Sequence, residues 1–390
     1  MFGKPNSIVT RRNRAELTKK YRIRLYVFSI LIAIVLLTLP FYNYVGDILF
    51  LYPNTSDIHA NDIEIHTVDV GQGLCNLIRF PDGTTLIFDT GTSESWSKLD
   101  TYIEKVLLRK GDSVTYMVIS HIDQDHIGSA KNVINKYSPK FVYIPDLSEN
   151  EISSNANYLD FYDTLQKSDC KIRYNSAGKS LRIGEAYLTW LAPNREYYAY
   201  SNDYSAVILL KYNDFKILFT GDSGHNIGQD YRANVESEYM SYAEDNGIDM
   251  DIDILIAGHH GSKYSTGMEL LTVTTPQVVI VPVGENTNGH PAQEFYDTIA
   301  TYDVNNGTHL FDYILTTLDY GNIIVVIDTQ SNYTIFNIDN IAKYIFVPYY
   351  VVVLIIIVPL GYFAIDSIIV YVNLTKTKKN SDNKEETKQP

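Results

Sequence analysis

A chain of 390 residues is long enough for one large domain or two of ordinary size. Its formal net charge of −14 opposes the basic surface that nucleic-acid-binding proteins usually present. The only two cysteines, Cys75 and Cys170, exclude a disulfide framework. They leave a single bridge or two unpaired thiols, and we expect unpaired thiols.

The first predicted element is an apolar segment at residues 25–46 that contains no charged residue. It has about the 20 residues needed to cross a hydrocarbon core. Aromatic residues, not a small-residue cleavage site, follow its apolar core. We therefore predict a retained transmembrane helix over a cleaved signal peptide. The preceding tail, residues 1–24, carries eight Lys and Arg against one acidic residue.

Residues 57–341 alternate short strand-like runs with helical ones. Apolar, β-branched runs bounded by turn residues predict strands at 63–70, 74–80, 84–90, 114–120, 185–192, 204–212, 216–222, 251–258 and 277–284. Helical spacing of apolar residues predicts a helix at 96–110, and further helices are expected at 127–137 and 228–246. Strands with interleaved helices indicate a layered α/β domain with buried sheets.

A second apolar segment begins at residue 344, and its length and the polar tail behind it favour a transmembrane helix at 344–372 over a buried helix. The tail at 373–390 is nearly free of apolar residues and is predicted to be disordered. Positive residues lie in the tail before the first span and in the tail after the second. Both termini are therefore predicted to be cytoplasmic. Residues 57–341, with a formal charge near −22, would then form an extracytoplasmic domain at the cell membrane.

Four potential metal ligands lie within six positions at the end of the predicted strand 114–120. They are His121, Asp123, Asp125 and His126. Loops at strand ends are where rigid scaffolds hold reactive groups, and imidazole together with carboxylate suits zinc and related divalent ions. The pattern predicts that residues 121–126, which we call the metal loop, supply ligands to two adjacent metal ions. The alternative is a polar turn with two capping aspartates.

The motif SHIDQDHIGS at 120–129 resembles the HxHxDH signature of the metallo-β-lactamase superfamily, in the variant HxDxDH. Six further motifs follow the order seen in the hydrolase domain of the ComEC family of competence proteins. They are VDVGQG (68–73), LIFDTG (86–91), NDYSAVILL (202–210), LFTGDSG (218–224), AGHHGS (257–262) and VPVGENTNGHP (281–291). The resemblance implies an αββα sandwich, flanked in this chain by the two predicted transmembrane helices.

The resemblance also implies a centre of two divalent ions, Zn or Mn. His121 and Asp123 would hold one ion, and Asp125 and His126 would hold the second. Asp222 would bridge both ions, and His259 would complete the second site. The implied ligands are His121, Asp123, Asp125, His126, Asp222 and His259. The choice of His259 over its neighbour His260 rests on its leaving the strand first.

Catalytic and substrate-binding roles follow from the same resemblance. Asp125 would also orient or deprotonate the attacking water, and His290 would act as an acid or a phosphate contact. Asn202 stands where many superfamily members have a metal-binding histidine, and Asp203 could replace that ligand. With His260, these two are the implied substrate-binding residues.

Two departures from the family pattern are visible. An acidic residue often follows GQG and supports the metal loop, whereas this chain has Leu74. The competence proteins also carry a large multi-span channel domain, and only two spans are predicted here, so transport of DNA is not implied.

The resulting expectation is a membrane-anchored, metal-dependent phosphodiesterase or nuclease acting on DNA outside the membrane. The alternatives are a hydrolase of a small or cell-wall-linked phosphodiester, and a non-catalytic metal-binding sensor or scaffold. Five basic residues between Lys171 and Arg195 could form a phosphate-binding rim or only solvated strand edges.

Overall fold

Two β-sheets lie face to face and enclose the main core. In the described chain, eight strands form the first sheet: β1 (Ile63–Thr67), β2 (Asn76–Arg79), β3 (Thr84–Phe88), β4 (Ser113–Val118), β5 (Phe141–Ile144), β6 (Lys171–Tyr174), β14 (Asn322–Ile327) and β15 (Tyr333–Ile338). Seven form the second: β7 (Ser180–Ile183), β8 (Ala186–Ala192), β9 (Val207–Tyr212), β10 (Phe215–Phe219), β11 (Ile254–Ile256), β12 (Val278–Val281) and β13 (Ile314–Thr316).

This computed structural model describes residues 61–109, 112–225, 228 and 232–338, all within the unit Thr55–Asn340. The predicted transmembrane helices at 25–46 and 344–372 lie outside the described residues, as do the tails at 1–24 and 373–390. Within the described ranges, no helix combines the length and the apolar character that a membrane crossing requires.

Each sheet contains both parallel and antiparallel pairs. The first runs in the order β15-β14-β1-β2-β3-β4-β5-β6, and the second in the order β13-β12-β11-β10-β9-β8-β7. Strands β3 to β6 are parallel to one another, as are β10 to β13. Parallel neighbours end at the same edge of a sheet, so the loops after them are brought together.

The core between the sheets comes from alternate residues of facing strands. Ile63 and Ile65 of β1 belong to the same buried cluster as Ile208 and Leu210 of β9. Aromatic rings join the two sheets, since Phe88 stacks on Phe219 with ring centroids 5.5 Å apart. Burial of each such side chain contributes about 1.5–3 kcal/mol, so this cluster holds the two sheets in a fixed relation.

Helices cover both outer faces. They are α1 (Trp96–Tyr102, continued by a π-helical turn Ile103–Leu107), α2 (Gln124–Ile127), α3 (Ala130–Tyr137), α4 (Glu149–Ser154), α5 (Ala156–Gln166), α6 (Val235–Asp245), α7 (Met268–Thr274), α8 (Gln293–Asn306) and α9 (Thr317–Tyr320). Short 3-10 turns occupy Ser201–Tyr204, Gly258–Gly261 and Leu310–Tyr313.

The layering is helix, sheet, sheet, helix. On one side, the Tyr102 hydroxyl of α1 lies 2.9 Å from Nδ1 of His66 in β1. On the other, Val235 and Tyr239 of α6 share a buried cluster with Leu218 of β10. The layered α/β arrangement predicted from the sequence is confirmed.

Two local expectations are refined by the structure. The helix predicted at 228–246 begins only at Val235, because Asn234 accepts a hydrogen bond from Ser237 N at 3.0 Å and caps it. The two cysteines are unpaired, as expected, with Cys75 buried and Cys170 half-buried.

Candidate metal centre

The predicted ligands come together at one edge of the sandwich. His121 follows β4, Asp222 follows β10, and the two histidines at 259 and 260 follow β11. Because β10 and β11 are parallel neighbours, their following loops meet, and His259 N donates to Gly221 O at 3.1 Å. The core between the sheets places the β4 loop opposite them.

The loop after β4 is braced by the first strands of the domain. Leu74 N donates to Asp125 O at 3.0 Å, and Thr90 N donates to His126 O at 2.7 Å. A Cβ built on Gly73 would lie 2.6 Å from Asp125 O, closer than real side chains approach a backbone oxygen. The close approach needs glycine at position 73, which explains the GQG motif in structural terms.

Asp222 stands at the centre of the cluster with a side chain that is only 3% exposed. Its Oδ1 lies 3.1 Å from His126 Nε2 and 3.7 Å from His260 Nε2. Its Oδ2 lies 3.8 Å from His121 Nε2 and 3.7 Å from His259 Nε2. The two oxygens of one carboxylate therefore face two different sets of imidazoles.

The outer carboxylates complete these two sets. Asp125 Oδ2 lies 3.2 Å from His260 Nε2, and Asp123 Oδ2 lies 3.7 Å from His121 Nε2. The potential ligand atoms form two groups, and within each group they all lie within 4.8 Å of one another. The groups are His121, His126 and Asp222, and Asp125, His126 and His260.

The potential ligand atoms that face the centre make no hydrogen bond of acceptable geometry among the described residues, although carboxylate oxygens lie 3.1–3.8 Å from the imidazole nitrogens. These atoms are Nε2 of His121, His126 and His260, and Oδ1 of Asp222, all buried. A buried polar atom without a partner costs about 1–3 kcal/mol, and several such atoms converging on one point fit a bound cation. Imidazole nitrogens and carboxylate oxygens are suitable ligands for zinc and related divalent ions.

The opposite ring nitrogens of the same histidines are held by the protein. His126 Nδ1 lies 2.7 Å from Asp89 Oδ2, His260 Nδ1 lies 2.7 Å from Pro282 O, and His121 Nδ1 lies 3.0 Å from Ser120 Oγ. A proton on Nδ1 leaves the Nε2 lone pair free for a metal, as is usual for metal-binding histidines. Asp89, in the LIFDTG motif, thus takes the supporting role that the residue after GQG often has in the family.

Electrostatics keeps the central carboxylates ionised. Burial acts to raise the pKa of Asp222, but the imidazoles of His126, His259 and His260 outweigh it and hold that pKa well below its ordinary value. The pKa of Asp125 is likewise lowered, since His260 and His126 overcome the effect of burial. The same balance lowers the pKa of Asp123, mainly through His121. Three carboxylates are thus available as anionic ligands at neutral pH.

The two histidines of the AGHHGS motif differ in placement. Both adopt left-handed backbone conformations, with φ of 47° at His259 and 56° at His260. This tight turn points His260 inward, where it is 1% exposed, and leaves the His259 side chain 27% exposed. The geometry places His260, and not His259 as expected from the sequence, in one group with Asp125 and His126.

The substrate-binding candidates are only partly brought together. Asn202 Nδ2 donates to Asp222 Oδ2 at 3.2 Å and lies at the centre. Asp203, buried, accepts from Ala233 N at 3.1 Å and belongs to neither ligand group. The His290 ring lies 5.3 Å from that of His259 and 6.5 Å from that of His260, which puts it at the mouth of the centre.

A cavity of about 540 Å³ opens beside the centre. His259 and His290 form the wall that it shares with the centre, and Arg232, Lys263 and Asn288 are among its other lining residues. No sequence pattern predicts this cavity, because Arg232 and Lys263 are isolated basic residues in separate loops.

The basic residues between Lys171 and Arg195 are engaged elsewhere. Lys171 and Arg173 of β6 lie over the Phe141 ring, Arg182 pairs with Glu185 at 3.6 Å, and Arg195 pairs with Glu238. None lines the cavity beside the metal centre. The reading of these residues as solvated strand edges agrees with the structure better than a rim around the active site.

Comparison with known proteins gives one family match. Residues 68–163 match the family model described as the metallo-beta-lactamase superfamily. The chain is 30% identical over 222 residues to "Recombination protein 2" of Haemophilus influenzae, an alignment covering 57% of this chain and 24% of that protein. It is 26% identical over 287 residues to "ComE operon protein 3" of Bacillus subtilis, covering 68% and 34%. The chain thus spans about a quarter to a third of these relatives.

Solved structures with similarity to this chain include the metallo-beta-lactamase fold protein YhfI from Bacillus subtilis. It has a TM-score of 0.39 and 14% identity, over 61% of this chain and 93% of that one. Another is CmlA, a diiron beta-hydroxylase from Streptomyces venezuelae, with a TM-score of 0.45 and 15% identity, over 71% of this chain and 54% of that one.

Proposed function

Because the described residues form a metallo-β-lactamase-superfamily domain that resembles the hydrolase domain of ComEC-type competence proteins, we propose that the chain is a metal-dependent phosphodiester hydrolase. The observation that carries the proposal is the convergence of three buried imidazole nitrogens, those of His121, His126 and His260, on the carboxylate of Asp222.

We propose that two divalent ions, Zn or Mn, occupy this centre when the protein is loaded. His126, His260 and Asp125 would hold one ion, and His121 and Asp123 the other, with Asp222 between them. Such a pair supplies Lewis acidity for a phosphoryl oxygen and lowers the pKa of a coordinated water to near neutrality.

The protein's own residues then orient the reacting groups. The pKa of Asp125 is lowered and its carboxylate is partly exposed. Asp125 can therefore align an attacking water through a hydrogen bond. His290 stands at the mouth, and burial and the neighbouring His260 lower its pKa. A neutral imidazole at this position can contact a phosphate oxygen or relay a proton to the leaving group.

DNA is the proposed substrate, because one relative is named "Recombination protein 2" and the sequence motifs resemble those of the ComEC family of competence proteins. A small or cell-wall-linked phosphodiester is the second candidate, and the formal charge near −22 of residues 57–341 favours it, since DNA would be repelled on average.

The proposal extends to location, on the strength of the sequence alone. Two apolar segments, uncharged over residues 25–46 and 344–365, with positive residues in the tails beyond them, support a domain held at the outer face of the cell membrane, with both termini inside. The bilayer would then be a partner of the chain, and the substrate would meet the enzyme outside the cell.

The test is hydrolysis by the purified full-length chain. We expect close to two bound ions per chain and cleavage of single-stranded DNA and of bis(p-nitrophenyl) phosphate that chelator abolishes. Asp125→Ala should lose activity on both substrates and keep the thermal unfolding curve of a folded protein. Asp163→Ala, which removes an exposed carboxylate on α5, is the matched control and should stay active. Metal binding with no turnover of any phosphodiester would instead indicate a sensor or scaffold.

A further inference from the structure

The cavity beside the metal centre, which we call the lateral cleft, is a distinct compartment of the site. It is defined by Arg232, Lys263, Asn288, His290 and Glu294, together with His259 and neighbouring residues. Its volume of about 540 Å³ lies within the range of ligand pockets. His121, His126, Asp222 and the outer carboxylates do not line it. The cleft therefore adjoins the reacting group without containing it.

Lys263 supplies one positive charge to the lateral cleft. Its side chain is exposed, and its ammonium lies 5.0 Å from the centroid of the Tyr264 ring. Across the described ranges, no carboxylate forms an ion pair with it. Lys131, by contrast, is paired with Asp160. An unpaired lysine beside an active site is available to an anionic ligand.

Arg232 supplies the second positive charge. Its guanidinium lies 4.8 Å from the centroid of the Tyr200 ring, which restricts its orientation. Its Nε is buried and has no hydrogen-bond partner among the residues that the structure describes. A guanidinium that is held by an aromatic ring and lines a cavity suits a phosphate group.

The acidic residue of the lateral cleft does not cancel these charges. Glu294 is exposed at the amino-terminal end of α8, and among the described residues that line the cleft two cations stand against this one carboxylate. Asn288 adds an amide, and Gly289 leaves backbone close to the opening. In a domain with a formal charge near −22, the cleft is thus a local site for an anion.

We propose that the lateral cleft binds the phosphate next to the one being cleaved, through Lys263 and Arg232. This inference rests on the proposed phosphodiesterase function and narrows its substrate to a chain with consecutive phosphates, such as an oligonucleotide. A diester with a single phosphate fills the metal centre and leaves the cleft empty. A nucleic acid strand fills both.

The experiment compares three thymidine dinucleotides that share one scissile diester. One has no terminal phosphate, one has a 5′-phosphate and one has a 3′-phosphate. For the metal-loaded full-length chain, we expect one terminal phosphate to raise kcat/KM about tenfold, the effect of about 1.4 kcal/mol in a charge-assisted contact. Lys263→Ala and Arg232→Ala should each reduce that preference, and the double variant should abolish it.

Lys171→Ala is the matched control. Lys171 also lies over an aromatic ring, with its ammonium 5.7 Å from the Phe141 centroid, but it belongs to β6 and does not line the cleft. It should keep the full preference for the terminal phosphate. Equal hydrolysis of the three dinucleotides by the wild type would overturn the proposal, as would a preference that survives in the double variant.

A binding measurement separates this inference from the proposed function. In the Asp125→Asn background, the dissociation constants of the three dinucleotides can be measured without cleavage. We expect the favoured terminal phosphate to tighten binding about tenfold, and the gain to vanish when Lys263 and Arg232 are both replaced by Ala. If the wild type hydrolyses none of the dinucleotides, the hydrolase proposal fails, and the binding result still decides whether the cleft takes a phosphate.

Discussion

Asp89 Oδ2 lies 2.7 Å from Nδ1 of His126, and both side chains are fully buried. The same carboxylate accepts hydrogen bonds from the backbone N–H of Ser120 at 2.7 Å and from its hydroxyl. One residue from the β3 loop thereby fixes the ring of a central histidine and the start of the metal loop. The positive φ of 58° at Asp89 lets the chain turn back toward that loop.

Asp89→Asn should weaken metal binding about 10–100-fold, the usual effect of removing a carboxylate that supports a metal-binding histidine. The amide keeps the shape of the side chain but loses the charge that favours the Nδ1–H tautomer of His126. Competition with a chromogenic chelator measures the change. Asp163→Asn, on the surface of α5, is the control. Unchanged affinity in Asp89→Asn would mean that His126 is oriented by packing alone.

His260→Ala should lose about one bound ion per chain, whereas His259→Ala should retain two. The reason is that His260 Nε2 lies 3.2 Å from Asp125 Oδ2 in the buried interior, while His259 lies at the wall of the lateral cleft. Elemental analysis of the purified variants gives the stoichiometry directly. The opposite pattern would restore the assignment first made from the sequence.

Glu236 should make stability depend on pH. Burial raises its pKa to about 8, aided by nearby Glu269 and opposed by hydrogen bonds from the backbone of Gly267 and Thr266. The folded state therefore holds this proton more tightly than the unfolded state. The resulting stability is fully present below the ordinary pKa of about 4.5 and is lost as pH rises toward 8.

We expect Glu236→Gln to flatten the decline in the free energy of unfolding across that pH range. The slope removed is at most about 1.4 kcal/mol per pH unit. Urea unfolding at a series of pH values, in excess chelator so that metal binding does not contribute, provides the measurement. Glu244→Gln, exposed on the same helix, should leave the slope unchanged. An equal slope in wild type and Glu236→Gln would show that Glu236 is ionised in the folded protein.

The proposed topology predicts the outcome of protease treatment of intact cells. Protease added outside should digest residues 57–341, while tags at either terminus stay protected, because the positive flanks hold both ends inside. Immunoblotting for the two tags and for the domain reads the result. A protected domain with exposed termini would reverse the orientation. An accessible carboxyl-terminal tag alone would indicate that only the first span crosses the membrane.

Much of the metal centre could be inferred from residue spacing. His121 to His126 form one short run after an apolar strand, and Asp222 follows another strand directly. Such local patterns predict position in the fold, because the end of a strand determines where the following loop begins. For the same reason, the predicted strand at 63–70 contains β1, and the one predicted at 216–222 overlaps β10 over residues 216–219.

Other features depended on geometry that spacing does not carry. Because His259 and His260 both adopt left-handed backbone conformations, the second histidine points into the centre, where the sequence order predicted the first. Two adjacent histidines in a sequence do not indicate such a turn. The lateral cleft joins Arg232 and Lys263 from different loops. The denser basic run that begins at Lys171 is the stronger signal in the sequence, but it belongs to β6 and β7, which form sheet edges and do not line the cleft. Only tertiary packing distinguishes these cases.

The pairing of β1 with β14 has a consequence for how the domain matures. Ile63 lies opposite Ile327, and Asp69 N donates to Asn322 Oδ1 at 3.0 Å, so nearly the whole domain separates these partners along the chain. Closing so long a loop is slow and comes late in folding. Until it closes, β1 is an open sheet edge, and Leu74, which holds Asp125, follows that unfinished edge. On the topology and metal centre proposed above, the centre would be complete only after the last strands have been exported, and the ion that it binds would depend on the metal supply where folding ends.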